Sequence, residues 1–436
     1  MKPWAIRTTN LTSAHNGAEE KVPVVIRRPL LLTRDFGLIW LSQLVSQVGD
    51  GVSNLALLWF VYSITGSPVK TTIIGLIHTI PPIVLGPFIG VYVDRLPKKF
   101  ILIGSNVFRA VLMGLIPCAV STDTFTVNLL YVLVLLDAMA MAMFSPALTS
   151  TVPLIVPRAQ FTAANALIQS TTSLGIIFGP AVSGIGIALF GSQEVLCLNA
   201  VTYFVAALCL GLVRLETTQP GAVETHTPGG SAWQDFMEGL AFVVTKQRVI
   251  LLLIMTAGCY GFGASALSTL FPVFVRKLLG LGPVEVGYLW SSLGIGLLFM
   301  SIVLLWCTER TLADRVNIIF WASAMSGVAI VALVWMKDLY VVSFLMIMIG
   351  GGMGAFTPIA WGVVQELTPR TMVGRVLGLY GTGAMTAAIC GISIFGQVTE
   401  RFGESTGIAG IGATFLLTAF FGGWLSRSIR NRERAL

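Results

Sequence analysis

The chain has 436 residues, a length that would indicate two or three domains in a soluble protein. Its composition excludes that class, because 55% of the residues are hydrophobic and only 11% are charged, whereas soluble domains carry about 25% charged residues. With a mean hydropathy of +0.85, the chain is expected to lie in a lipid bilayer. The net charge of +7 therefore bears on membrane orientation, and we expect no nucleic-acid partner.

The six cysteines occur singly within apolar stretches, and none belongs to a Cys-x-x-Cys pair. This distribution matches neither a zinc site nor a disulfide framework, so we expect no bound metal and no cofactor. The N-terminal segment is polar through about residue 23 and lacks the apolar core of a cleaved signal peptide. We interpret residues 1–34 as a cytoplasmic tail.

Beyond this tail, the chain contains twelve apolar stretches that are each long enough to cross the hydrocarbon core, which takes a helix of about 20 residues. They lie at about 36–62, 69–93, 99–121, 125–149, 161–190, 193–213, 249–275, 284–307, 313–336, 339–364, 372–398 and 406–426. The sequence therefore predicts an all-α membrane protein with twelve transmembrane helices.

The distribution of lysine and arginine gives an orientation. All but five of the 27 lie in the two tails, in the loops that follow even-numbered helices, or near one end of helix 3. The five on the opposite side are Lys70, Arg276, Lys277, Lys337 and Arg401. Because basic residues concentrate on the cytoplasmic side, both termini are expected in the cytoplasm and the protein in the inner (plasma) membrane of the cell.

The longest polar interruption, residues 214–248, falls in the middle of the chain. It contains a Pro/Gly/Thr-rich linker and then apolar residues at helical spacing, which predict an amphipathic helix at the cytoplasmic membrane surface. We expect six-helix bundles at residues 35–213 and 249–427, and a C-terminal cytoplasmic tail at residues 428–436.

A weak internal repeat supports this division. The segments Phe144-Ser-Pro-Ala and Pro157-Arg158 recur 212 residues later as Phe356-Thr-Pro-Ile and Pro369-Arg370. Two similar halves with a substrate site between them near the middle of the membrane are typical of transporters.

Four polar residues follow one face of helix 1, at positions i, i+4, i+7 and i+11: Gln43, Gln47, Asp50 and Asn54. Asp50 is expected near the middle of the bilayer, where a carboxylate is costly unless it is paired, hydrated or protonated. We interpret Asp50 as a proton-coupling or cation-recognition group that faces a central cavity. The alternative is a structural hydrogen bond between helices.

Three more ionisable residues are expected within the membrane. Asp137 in helix 4 is either a second coupling group or the structural partner of a basic residue. Arg109 in helix 3 is expected in the cytoplasmic third of the membrane, where it snorkels or pairs with Asp94 or Asp137. His78 in helix 2 is a further candidate for the coupling site, with a purely hydrogen-bonding role as the alternative.

Residues 90–99, Gly-Val-Tyr-Val-Asp-Arg-Leu-Pro-Lys-Lys, resemble the loop signature of the major facilitator superfamily, with Pro97 where that family usually has its second glycine. The resemblance implies that Asp94 meets the N-terminus of helix 11 near Gly374 and Arg375, and latches the two halves in the outward-facing state. The expected latch residues are Gly90, Asp94, Arg95, Lys98, Lys99, Arg109 and Arg375.

Shorter motifs resemble the macrolide-efflux and enterobactin-exporter branch of the drug:proton antiporters. They are Thr65-Gly66-Ser67, Gly86-Pro87, Ser145-Pro146-Ala147, Leu270-Phe271-Pro272 and Gly374-Arg375-Val376. The resemblance implies the major facilitator fold, which consists of two pseudo-symmetric six-helix bundles, and a role in efflux and drug resistance at the cell membrane.

Together these features predict a secondary active transporter that exports amphipathic small molecules by proton-coupled alternating access. ATP is not expected to drive it, because the chain contains no Walker A sequence, and clustered catalytic groups that would indicate an enzyme are absent from the sequence. We expect a monomer whose partners are the substrate, protons and membrane lipids. The alternatives are a dedicated carrier of one metabolite class, such as a siderophore or a lysolipid, with or without proton coupling, and a receptor or scaffold that transports nothing.

Overall fold

The structure is a computed structural model, and it describes residues 30–121, 126–157, 160–214, 237–238, 240–244, 248–305, 311–369 and 372–433. Twelve long helices make up most of this part of the chain. They are α1 (Arg34–Thr65), α2 (Pro68–Arg95), α3 (Lys98–Ser121), α4 (Val127–Ile155), α5 (Phe161–Phe190), α6 (Ser192–Leu212), α7 (Arg248–Leu278), α8 (Pro283–Leu305), α9 (Leu312–Ala332), α10 (Leu339–Leu367), α11 (Val373–Phe402) and α12 (Glu404–Glu433).

All twelve helices are long and apolar enough to cross a membrane, and the described residues contain no β-strand. The prediction of an all-α membrane protein with twelve transmembrane helices is therefore confirmed. Because the helices alternate in direction, α1 begins and α12 ends on the same side of the bundle, which we call the terminal side. The side on which α1 ends at Thr65 and α2 begins at Pro68 is called the far side.

The helices pack as two copies of one arrangement. In the N-terminal half, α1 packs against α5 and α6, α3 against α6, and α4 against both α2 and α3. The C-terminal half repeats each of these contacts six helices later, with α7 against α11 and α12, α9 against α12, and α10 against both α8 and α9. These repeated contacts give two pseudo-symmetric six-helix bundles.

The connections between helices repeat as well. A single glycine with positive φ links α5 to α6 and α11 to α12: Gly191 at 100° and Gly403 at 88°. The helices α4 and α10 begin with equivalent caps, since Thr126 accepts a hydrogen bond from an N–H group of the first turn and so does Asp338. Both pairs are separated by the spacing of 212 residues that relates the sequence motifs.

The two halves meet through α5 with α8 and through α2 with α11, which are again equivalent pairs. Glycines permit this close approach. A Cβ atom at Gly184 of α5 would meet the backbone oxygen of Pro283 at 2.5 Å, and one at Gly396 of α11 would meet Oγ1 of Thr72 at 2.7 Å.

The segment between the halves lies mostly outside the described residues. Residues 237–238 and 240–244 are helical, but the rest of the predicted amphipathic helix is not described. The predicted domain limits stay a prediction. The second bundle was expected to end at residue 427. Helix α12 continues through an arginine-rich segment to Glu433.

The glycine contacts generate a prediction about stability. A Cβ atom at Gly350 of α10 would collide with the backbone oxygen of Leu293 in α8. A Cβ atom at Gly362, in the same helix, would have no neighbouring atom of the described residues within 4 Å. We expect Gly350→Ala to lower the unfolding midpoint of the purified protein by several degrees. The control Gly362→Ala should leave the midpoint unchanged or raise it, because alanine favours the helix by up to about 1 kcal/mol. Equal midpoints for the two variants would contradict this account of the packing.

Candidate functional site

Four side chains from four helices meet in the interior of the N-terminal half. They are Asp50 of α1, Arg109 of α3, Asp137 of α4 and Tyr203 of α6, and we call them the charge cluster. Each lies well inside its helix, so the cluster is far from both ends of the bundle. Charged groups at such a depth are retained in membrane proteins when they pair with one another or serve a function.

Arg109 and Asp137 form a two-pronged ion pair. Nε of Arg109 donates to Oδ1 of Asp137 at 3.0 Å, and Nη2 donates to Oδ2 at 3.2 Å. The pair is closed off from solvent, because the side chains are only 4% and 1% exposed. Parallel hydrogen bonds of this kind are the strongest that arginine makes with a carboxylate, and here they occupy both oxygens of Asp137.

Asp50 contacts the same guanidinium through one oxygen. Nη2 of Arg109 donates to Oδ1 of Asp50 at 2.9 Å, and the hydroxyl of Tyr203 donates to the same oxygen. No hydrogen bond to Oδ2 of Asp50 is found among the described residues, and the Asp50 side chain is 19% exposed. Asp50 is therefore the member of the cluster that faces open space.

Tyr203 holds the arginine in two ways. Its hydroxyl accepts a hydrogen bond from Nη2 of Arg109 at 2.5 Å, and its ring lies 4.2 Å from Cζ of the guanidinium. Such a cation–π contact is favourable where water is excluded, and Tyr203 is fully buried. Tyr203 was not predicted from the sequence, since a single tyrosine in an apolar helix is only a weak signal of a polar site.

Arg109 lies near the middle of α3. Its expected position in the cytoplasmic third of the membrane stays a prediction. Both carboxylates that it contacts lie deep within their own helices, and they hold the guanidinium at that depth. Of the two expected partners, Asp94 and Asp137, the structure pairs Arg109 with Asp137. Arg109 also pairs with Asp50, and spacing along a single helix could not predict this second contact.

The other polar residues of α1 lie on either side of the cluster. Gln43 is buried, and its Oε1 has no hydrogen-bond partner in the part of the chain that the structure describes, while Gln47 packs against Gly175 of α5. Asn54, one turn beyond Asp50 toward the far side, lines a cavity. The stripe on α1 thus runs from the protein interior past Asp50 into open space.

The cavity has a volume of about 260 Å³ and lies between the two halves, on the far side of the charge cluster. Its polar wall comes from Asn54 of α1, His78 of α2, and Ser265 and Ser268 of α7, and its apolar wall includes Leu58 and Ile392. Among the described residues, the buried Nε2 atom of His78 has no hydrogen-bond partner, and His78 lies within electrostatic reach of the charge cluster. The cavity therefore offers polar groups beside the charge cluster.

The expected latch residues are only partly within the described region. Gly90, Asp94 and Arg95 belong to α2, and Gly374 belongs to α11. For these four residues the structure describes only their place in the helix. Lys98 begins α3, and Nζ of Lys99 donates to the carbonyl oxygens of Gly211 and Val213, both at 2.8 Å. Lys99 thus caps the end of α6 within its own half.

Arg375, near which Asp94 is expected to meet α11, makes an ion pair of 2.7 Å with Glu238 from the segment between the halves. The role of these residues as a latch stays a prediction. In the described part of the chain, no group of three or more histidine, cysteine, aspartate or glutamate side chains is arranged to hold a metal ion.

Comparison with known proteins identifies the family of this chain. The model of the Major Facilitator Superfamily matches residues 39–392, a region that extends from α1 to α11. The chain belongs to the major facilitator superfamily. The loop signature and the paired six-helix halves agree with this membership.

Relatives within the superfamily include efflux proteins. The chain is 26% identical over 395 residues to the multidrug efflux pump Tap of Mycolicibacterium fortuitum, an alignment that covers 89% of this chain and 92% of the relative. It is 22% identical over 370 residues to macrolide efflux protein A of Streptococcus pyogenes, covering 84% and 90%. Family and relatives indicate a multi-pass membrane transporter and not an enzyme.

Solved structures show the same fold at lower identity. A bacterial homologue of the iron transporter ferroportin superimposes with a TM-score of 0.70, covering 91% of this chain and 99% of that one, at 15% sequence identity. At this level of identity the likeness establishes the major facilitator fold alone.

The geometry of the charge cluster predicts different roles for its two carboxylates in stability. In Asp137→Asn, the new amide N–H₂ group would face an N–H donor of Arg109, because both oxygens of Asp137 accept hydrogen bonds. Asp50→Asn keeps an oxygen for both described contacts. We expect Asp137→Asn to be the more destabilising of the two variants by about 2–4 kcal/mol. The measurement is the unfolding midpoint in detergent, and a midpoint for Asp50→Asn at or below that for Asp137→Asn would contradict the assignment.

Proposed function

We propose that this transporter exports amphipathic small molecules in exchange for protons, with Asp50 as the group that carries the proton. The observation that supports this proposal best is the composition of the charge cluster. Two carboxylates share one guanidinium, so the cluster carries one negative charge in excess when both are ionised. An uncompensated charge at this depth is expensive, and binding one proton or one cationic group removes it.

The contacts favour Asp50 over Asp137 as the exchanging group. Asp137 has both oxygens engaged by Arg109 and is 1% exposed, so a proton could bind there only by breaking an ion pair. Asp50 has an oxygen without a described hydrogen bond and a side chain that is 19% exposed. Protonation of that oxygen would leave the contacts with Arg109 and Tyr203 in place.

The cavity and the relatives support the proposed substrate class. The cavity combines apolar side chains with polar groups, which is the composition expected of a site for amphipathic ligands. The similar proteins are named for the efflux of macrolides and of multiple drugs. We therefore assign macrolides and lipophilic cations as the first compounds to test.

Exchange requires that proton and substrate influence one another through the same site. A cationic or hydrogen-bond-donating group that enters the cavity beside Asn54 would neutralise the ionised form of Asp50, whereas a proton on Asp50 would remove that attraction. Binding of one therefore disfavours binding of the other, which is negative coupling in the thermodynamic sense. Alternating exposure of Asp50 to the two sides of the plasma membrane, with both termini in the cytoplasm, then yields export against entry of protons.

A transport assay tests the role of Asp50. Erythromycin and ethidium serve as the macrolide and the lipophilic cation, and uptake into inverted vesicles is measured with and without an imposed pH gradient. We expect Asp50→Asn to lower gradient-driven uptake at least about tenfold, because the neutral amide mimics a permanently protonated carboxylate. The matched control is Asp314→Asn, which makes the same chemical change at an exposed ion pair with Arg430 at the terminal side.

Three results would decide the matter. Gradient-driven uptake in the control together with its loss in Asp50→Asn supports proton exchange at Asp50. Full uptake in Asp50→Asn removes this residue from the mechanism. Uptake that the pH gradient does not change in the unmodified protein, or that is confined to one compound class, favours the dedicated carrier, for which a cavity of only about 260 Å³ is the supporting observation.

A further inference from the structure

A polar contact joins the two halves at the far side, well away from the charge cluster. Oε2 of Glu400, in the last turn of α11, accepts a hydrogen bond of 2.6 Å from the hydroxyl of Ser67 and one of 2.9 Å from the backbone N–H of Val69. Glu400 belongs to the C-terminal half, whereas Ser67, which directly precedes α2, and Val69, in the first turn of α2, belong to the N-terminal half. The carboxylate therefore bridges the halves.

The turn between α1 and α2 is built to present this first turn. Helix α1 ends at Thr65, and Gly66 reverses the chain with a φ of 63°, a conformation that favours glycine. The backbone N–H of Ser67 then donates to Oγ1 of Thr65, and the hydroxyl of Ser67 accepts from the backbone N–H of Lys70 at 3.2 Å. Ser67 is thus the N-cap of α2, and the motif Thr65-Gly66-Ser67 acquires a structural role.

Glu400 completes this cap from the opposite half. The first N–H groups of a helix lack partners within the helix, and a negative charge beside them is favoured by the helix dipole. Pro68 has no N–H, so Val69 provides the first backbone donor of α2, and that donor is the one that Glu400 binds. An acidic residue that caps a helix usually lies in the same chain segment, whereas here it comes from the other half of the molecule.

We infer that Glu400 and the segment 65–69 form a far-side latch, which holds the far side closed and must open before the cavity can be reached from there. The inference rests on the alternating access of the proposed function. The proposed latch is a charge-assisted contact between α2 and α11. The pseudo-symmetric contact between α5 and α8 instead includes a close approach of two glycines, Gly184 and Gly287. The two equivalent interfaces therefore differ in chemistry.

A second contact supports closure at the same side. The guanidinium of Arg276, in the last turn of α7, lies 5.1 Å from the centre of the Trp59 ring and 5.7 Å from that of Tyr62, both in α1. This cation–π contact places α7 of the C-terminal half against α1 of the N-terminal half, next to the turn that contains Ser67.

Glu400 is exposed, so water replaces its hydrogen bonds when the halves separate, which suits a contact that breaks and forms in every transport cycle.

The chain offers a matched control for this latch. Asp338 is also an acidic helix cap at the far side, where its Oδ1 accepts hydrogen bonds of 3.0 Å from the backbone N–H groups of Tyr340 and Val341, but all three residues belong to the C-terminal half. Replacing Asp338 by asparagine makes the same carboxylate-to-amide change at a helix cap without touching the contact between the halves.

The test measures access to the cavity from the far side. A full-length chain is prepared in which the six native cysteines are replaced and Ser268 of the cavity wall becomes the single cysteine. A membrane-impermeant methanethiosulfonate reagent is added to right-side-out and to inverted vesicles, and the labelling rate is compared for Glu400→Gln, Ser67→Ala and Asp338→Asn. We expect the first two variants to raise labelling from the far side about threefold to fivefold, and the third to leave it unchanged.

The double variant Ser67→Ala with Glu400→Gln is expected to raise labelling by less than the product of the single effects, because the two side chains share one hydrogen bond. A misfolded variant would be labelled faster from both sides, whereas an opened latch increases labelling from the far side only. Labelling of Glu400→Gln at the parental rate, or an equal increase in Asp338→Asn, would overturn the inference.

Labelling needs neither substrate nor a pH gradient, so its result is independent of the transport assay. If Asp50→Asn retains full transport while Glu400→Gln raises far-side labelling, the proton mechanism fails and the latch stands. If proton exchange is found but labelling does not change, the latch fails and the proposed function stands.

Discussion

The structure depends on one guanidinium that two carboxylates share in the interior of a membrane-spanning bundle. A lone arginine or aspartate at the centre of a bilayer costs at least about 2.5–3.5 kcal/mol, and the charges become tolerable when opposite signs meet. Because Asp50, Arg109 and Asp137 come from different helices, α1, α3 and α4 can bury these charges only by packing around one point. When both carboxylates are ionised, the requirement that fixes the packing of this half also leaves one negative charge in excess, and the proposed proton exchange rests on that excess.

The two halves share a backbone arrangement but differ in chemistry. The spacing of 212 residues that relates Gly191 to Gly403 also carries Asp50 to Phe262, Asp137 to Ile349 and Tyr203 to Phe415. Phe262 packs edge-on against Phe395, and Ile349 and Phe415 are buried in the apolar core. The N-terminal half therefore contains the charge cluster, while the equivalent positions of the C-terminal half make an apolar body. A change of charge on one half can then move it against a partner whose own packing does not depend on that charge.

Hydropathy was sufficient to predict the twelve helices, because each must match the thickness of the bilayer independently of its neighbours. It also singled out Asp50, Arg109 and Asp137, since an ionisable residue in an apolar stretch is conspicuous. Hydropathy does not predict contacts between helices. The pairing of Arg109 with two carboxylates, and the contribution of Tyr203, depend on which helix faces meet. Glu400 was missed for a related reason: near a helix end a carboxylate resembles any other interfacial charge until the opposite half is in place.

Helix α1 connects the charge cluster to the far side. Asp50 and Thr65 belong to the same helix, and at 1.5 Å per residue the distance along its axis is about 22 Å. Between them, residues 55–62 are buried against neighbouring helices, so this part of α1 can move only as a rigid segment. The turn at Gly66 then joins α1 directly to the first turn of α2, where Glu400 binds. A shift of α1 caused by a change of charge at Asp50 would therefore displace the turn that forms the proposed far-side latch, without any chain of intermediate side-chain contacts. Coupling of this kind needs one rigid helix with a charge at its middle and an inter-half contact at its end, and α1 has both.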